Sequence, residues 1–137
     1  MRTPQQILEE SATIAVVGAS RDPEKEAHTV PAQLQRHGWR IIGVNPYSDE
    51  LFGERAYHAL ADIGEPVDLV NVFRPSDEAA EVVRQAAAIG ARAVWLQQGI
   101  VSAEARRIAE AAGMDYVENY CIAVARAAFG LTRRTLS

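Results

Sequence analysis

The sequence predicts a doubly wound α/β domain, a five-stranded parallel sheet held between two layers of helices. Three observations carry that prediction. Residues 13–21 read T-I-A-V-V-G-A-S-R, an apolar, β-prone run that stops at Gly18, as a buried central strand does before a phosphate-binding loop. Strand-like and helix-like segments then alternate to the end of the chain, the pattern of a parallel sheet covered on both faces. Gly90 and Gly113 stand just past two periodic helices, where a left-handed cap favours glycine.

Each element has its own signal. Thr3-Pro4-Gln5-Gln6 opens a short helix, with Thr3 as N-cap, Pro4 at the first position and Gln6 closing a capping box. The first strand follows and ends at Gly18, and a polar loop, S-R-D-P-E-K-E-A, leads to a helix from about Thr29 to His37. Arg40 to Asn45 is a second strand, stopped by Pro46, and residues 47–66 form a longer connection with a short helix over His58 to Ile63. Asp68 to Phe73 is the third strand.

Ala79, Val82, Val83, Ala86 and Ile89 then fall at helical spacing, and Ala105, Ile108, Ala109 and Ala112 repeat it. Strands 93–97 and 114–118 follow these helices, and a last helix covers Ile122 to Phe129. The set describes a Rossmann-type, three-layer α/β/α arrangement without internal repeats or a domain boundary. The expectation is therefore one domain over residues 1–137.

Composition narrows the function. The chain is 48% hydrophobic and 23% charged, with a net charge of −4, ordinary for a soluble globular domain. The cations are scattered rather than massed, which argues against nucleic acid. No apolar run approaches the length of a membrane span, and the N-terminal M-R-T-P-Q-Q-I-L-E-E does not read as a signal peptide. A single cysteine, Cys121, excludes an internal disulfide framework. A cytoplasmic protein is expected. The three histidines show no ligand spacing, so no metal site is expected.

Ligands of open α/β sheets bind at the carboxyl ends of the strands, where strand order reverses. Five strand-to-loop junctions qualify. At the first, Gly18, Ala19, Ser20 and Arg21 precede a helix whose free N–H groups favour an anion, and Lys25, His28 and Thr29 lie in the same stretch. Substituting Gly18 is expected to weaken binding without disturbing the fold. A full G-x-G-x-x-G is absent. At the second, Asn45-Pro46 stands where NAD-binding domains carry an acid for the ribose hydroxyls. A neutral residue there would not repel a ribose 3′-phosphate, the group that distinguishes coenzyme A.

At the third junction Arg74 can grip a phosphate with its planar fork or pair with an acid such as Asp77. Gln97 and Gln98 at the fourth offer amides suited to a pantetheine arm, or to capping the next helix. At the fifth, Cys121 is either a small buried hydrophobe or a thiol able to meet a bound thiol. No Ser-His-Asp set, H-E-x-x-H or G-x-x-x-x-G-K-[ST] is present. No catalytic residue is assigned.

V-V-G-A-S-R-D-P-E-K at 16–25, V-N-P at 44–46, V-D-L-V-N-V-F-R-P at 67–75, V-W-L-Q-Q-G-I at 94–100 and the late cysteine occur in this order. Together they resemble the stand-alone CoA-binding proteins, small bacterial and archaeal Rossmann-type domains, over roughly residues 10–125. The chain is also similar to the N-terminal CoA-binding part of the succinyl-CoA synthetase α subunit and of ADP-forming acyl-CoA synthetases. The resemblance implies coenzyme contacts from Ser20, Arg21, the helix start near His28 and Thr29, the loop from Asn45 to Ser48, and the Leu96–Gln98 region.

Two departures stand out: about Ser48 replaces a lysine of the synthetases, and Asn119-Tyr120-Cys121 replaces an Asp-Arg-Cys of the stand-alone family. The synthetases' phosphorylated histidine lies in a second domain, absent from this sequence. The resemblance thus implies binding of coenzyme A or an acyl-CoA without ligase chemistry. A homodimer is compatible with it. The alternatives are an NAD(P)-binding redox protein, or an acyl-CoA ligase-type subunit completed by a partner chain.

Overall fold

A computed structural model describes residues 1–133. Helix α1 (Pro4–Glu10) carries the expected capping box: Gln6 N–H donates to the Thr3 hydroxyl, and Thr3 N–H donates back to the Gln6 side chain. Strand β1 (Thr13–Val17) sits at the centre of the sheet, flanked by β2 (Arg40–Val44) on one side and β5 (Leu69–Val72) on the other. Strands β6 (Ala93–Leu96) and β7 (Asp115–Val117) complete the order β2-β1-β5-β6-β7, all parallel. The chain first steps from β1 out to β2 and then returns across β1 to β5. Strand order therefore reverses between β1 and β5, the place where such sheets bind ligands.

Alternate residues of the apolar strands feed two separate cores. On one face, Ile14, Val16, Ile41 and Trp95 pack with α1, α2 (Glu26–Arg36) and α5 (Ile122–Phe129). On the other, Ala15, Ile42, Val70 and Leu96 pack with α3 (Ser76–Ala88) and α4 (Ala103–Ala111). This is the three-layer α/β/α sandwich that the sequence predicts. Gly90 and Gly113 adopt φ of 79° and 73° at the helix ends, as expected.

Two elements differ from expectation. Helix α2 begins at Glu26 rather than about Thr29 and runs through Pro31. Proline has no N–H for the carbonyl four residues back, here Ala27. That carbonyl instead accepts the N–H of Ser20 at 3.1 Å. An extra partner from the preceding loop thus lets the helix extend past the proline.

The connection after β2 holds a hairpin, β3 (Glu50–Leu51) and β4 (Glu54–Arg55), and a single 3-10 turn at Leu60–Asp62 where a helix over His58 to Ile63 was expected. Phe52 and Gly53 form its two-residue loop with φ of 57° and 77°, as a type I′ turn requires. The chain then runs briefly alongside β2, with Tyr57 N–H donating to Gly43 and its carbonyl accepting from Asn45.

Candidate functional site

Register brings the predicted junctions to one level. Val17 pairs with Val44 and with Val72, and Val72 pairs with Leu96. Gly18, Asn45, Phe73 and Gln97 consequently leave the sheet side by side. A groove of about 600 Å³ opens on the α3 side of this edge. Val17, Val44, Ala59 and Val82 supply its apolar surface, and Asn45, Tyr47, His58 and Arg74 its rim. Asp77, Glu78 and Glu81 of α3 line it with carboxylates.

The loop after β1 is held by its neighbours as well as by turns of its own residues. Gly18 has φ of 87°, and a Cβ there would lie 2.9 Å from the Phe73 carbonyl and 3.0 Å from Arg74 Cδ. Any side chain at this position meets both strain and a clash with backbone. The expected tolerance of the fold to a Gly18 substitution is therefore corrected: Gly18 packs the loop directly against the end of β5. Asn45 Nδ2 donates to the Ala19 carbonyl at 2.8 Å, and Asn45 Oδ1 accepts from Tyr47 N–H at 2.7 Å. The Ser20 carbonyl accepts from His28 Nδ1 at 2.7 Å, which places the ring proton on that nitrogen, since a carbonyl only accepts.

These bonds occupy the Ala19 and Ser20 carbonyls and leave backbone donors beside them. The Ala19 and Arg21 N–H groups have no hydrogen-bond partner among the described residues. Arg21 and Lys25 are exposed, and the salt bridges among the described residues involve other cations. The earlier start of α2 changes the parts assigned to His28 and Thr29. Both backbone N–H groups donate to the Lys25 carbonyl, so the helix-start donors expected from them are already spent. His28 acts through its ring, which also lies 5.2 Å from the ring of Phe52.

Arg74 pairs with Glu78 rather than with Asp77, donating from Nε and Nη2 over 2.8–3.3 Å. Gln97 turns away from solvent. It is 4% exposed, and its Oε1 accepts from Asn71 Nδ2 at 3.1 Å and from Ile122 N–H at 3.0 Å, capping α5 from within. Gln98 is exposed, and Pro46 lies on the groove rim beside the fully solvated Tyr47 ring. Cys121 is half-buried at the N-cap of α5.

Two participants, Asn71 and Phe52, escaped the sequence reading, and Asn119 of the fifth junction takes a structural part. Asn71, fully buried in β5, donates to Trp95 O and to Gln97 Oε1; a polar residue inside D-L-V-N-V-F was its signal. Asn119 adopts φ of 55° and accepts from Gly99 N–H at 2.7 Å, tying the two last junctions together. Phe52 gave no signal, because an aromatic residue is a poor marker of a left-handed turn. Among the described residues no group of three or more His, Cys, Asp or Glu could hold a metal ion, and no helix is long and apolar enough to cross a membrane.

A parallel sheet with a glycine-ended central strand, a groove at its switch point and a donor-bearing loop over it defines a Rossmann-type α/β domain. The CoA binding domain family matches residues 12–127, and the chain belongs to that family. An uncharacterized protein of Bacillus subtilis, YneT, is 39% identical over 123 residues, 90% of this chain and 91% of that protein. The ADP-forming acetate–CoA ligase of Methanocaldococcus jannaschii is 26% identical over 73 residues, which cover 53% of this chain and 10% of the ligase. A solved structure from Thermus thermophilus superposes with a TM-score of 0.87 at 37% identity, covering 93% of this chain and 98% of that one.

Proposed function

We propose that this protein binds coenzyme A, or an acyl-CoA, across the strand ends and performs no chemistry of its own. The observation that carries the reading is the β1–α2 loop. Its Ala19 and Ser20 carbonyls are bonded inward, while the Ala19 and Arg21 N–H groups and the Arg21 and Lys25 side chains have no protein partner among the described residues. That donor set fits a phosphate, whose oxygens only accept. Neutral Asn45 adds no repulsion at the β2 end, where an acid would oppose a ribose phosphate.

The groove suits the other end of the nucleotide. Its apolar surface accommodates a base, and the α3 carboxylates accept from amines while repelling phosphate. The phosphates accordingly belong on the loop side, and the base and ribose on the side of Tyr47, His58 and Ala59. The pantetheine arm then follows the strand ends towards Gln98 and Cys121.

Family membership and the similarity to a ligase of which this chain matches a small part support a binding role over a catalytic one. Calorimetric titration with CoA, acetyl-CoA, NAD and NADP tests the reading. Saturable binding of the CoA species alone is expected. Binding of NAD or NADP in their place, or of none of the four, overturns it.

A further inference from the structure

Arg74 lines the groove and touches the loop at Gly18, and it is already occupied. Its stem crosses the bare face of Gly18, with Cδ 3.0 Å from where a Cβ would stand. Its guanidinium forks onto Glu78, with Nη2 at 3.0 and 2.8 Å from the two carboxylate oxygens and Nε at 3.3 Å from one. Both residues line the groove, with side chains 45% and 48% exposed. Glu78 lies in the first turn of α3, where the helix dipole favours a carboxylate with or without a partner.

A carboxylate and a phosphate present the same geometry to a guanidinium, but the phosphate can carry the larger charge. A solvated i,i+4 pair is held weakly and is readily exchanged. We infer that Glu78 stands in for a ligand phosphate. It keeps Arg74 aligned over Gly18 while the groove is empty, and it gives Arg74 up to a phosphate of the bound coenzyme, so that the strength of the Arg74–Glu78 pair sets the affinity. This inference rests on the coenzyme reading above and adds a residue that controls it without touching the ligand.

Removing a negative charge from the groove would help any anion through space, so the test must isolate Arg74. Asp77 lines the same groove one residue earlier, without contacting Arg74. The experiment is calorimetric titration of CoA into the wild type, Glu78→Gln, Asp77→Asn, Arg74→Gln and the Arg74→Gln/Glu78→Gln double variant. Glu78→Gln is expected to tighten binding about three- to fivefold, the range open to an exposed ion pair.

Asp77→Asn is expected to do clearly less, and the Glu78→Gln gain is expected to vanish when Arg74 is already Gln. An equal gain with and without Arg74, or no gain in its presence, overturns the exchange. A wild type that binds no CoA overturns the coenzyme reading instead, so the two failures are distinct. Dephospho-CoA identifies the exchanging group. A gain retained there supports exchange onto the diphosphate, and a gain lost there supports exchange onto the ribose 3′-phosphate.

Discussion

At the β1–β2 half of the strand-end surface, Asn45 reaches across two loops to hold the Ala19 carbonyl and the Tyr47 N–H. At the β6–β7 half, Gln97 occupies the equivalent place after its strand and turns inward to Asn71 and Ile122. Both are carboxamides with their oxygen committed to backbone N–H. What differs is what remains outside. Among the described residues, the first half is left with unpaired backbone donors and two cations outside any salt bridge in its loop, whereas the second turns its carboxamide into the core. Asn71 is fully buried, with Oδ1 left without a partner among the described residues. The contrast teaches that a polar strand end is not in itself a binding site. What it leaves accessible depends on where the amide turns, and Asn45 turns to the loops rather than to the core.

Gln97→Leu attacks the buried half. It removes the acceptor for Ile122 N–H and one of two acceptors for Asn71, and a buried donor without a partner costs about 1–3 kcal/mol. Urea denaturation is expected to show a lower midpoint by that amount, with CoA affinity per folded molecule little changed. A stable variant that has lost CoA binding would reverse the assignment and make Gln97 a ligand residue.

Asn45→Asp attacks the other half with an isosteric change. It deletes the Nδ2 donor that holds Ala19 and sets a negative charge between the two loops that frame the groove. The lost hydrogen bond is worth about 1 kcal/mol, and a like charge a few ångströms from a phosphate adds a comparable amount. Titration is expected to show CoA affinity lower by about tenfold or more, with a milder loss of stability. Unchanged affinity would remove the phosphates from this half.

This difference between halves explains what was legible in the sequence. Strand order, both cores and the helix caps follow from periodicity and glycine placement, which are local signals. The start of α2 was hidden because a proline is ordinarily tolerated only in the first turn, and the compensating bond between Ser20 and Ala27 joins residues on either side of a loop. Gln97 was hidden for a different reason. All four residues of β6 are buried, so no alternation marks which side chain beyond it points inward, and Gln97 and Gln98 look alike until the strand is placed beside Asn71. Sequence gathered the candidate residues at one edge of the sheet but could not sort their side chains into outward and inward ones.

The smallest expected effect belongs to Gln98, and it decides how far the ligand extends. Gln98 is exposed and makes no side-chain hydrogen bond among the described residues, so its replacement should leave folding alone. If the pantetheine arm crosses the buried half, the Gln98 carboxamide is an exposed group there able to meet an amide of the arm. Gln98→Ala is then expected to weaken CoA about threefold to tenfold, the worth of one neutral hydrogen bond. Adenosine 3′,5′-bisphosphate, which lacks the arm, is expected to bind wild type and variant alike. Equal affinity for CoA as well would confine the ligand contacts to the first half, and the second half would then serve as scaffold alone. A loss shared by both ligands would instead bring the nucleotide itself to the β6 end, against the charge argument that places phosphates over Arg21 and Lys25.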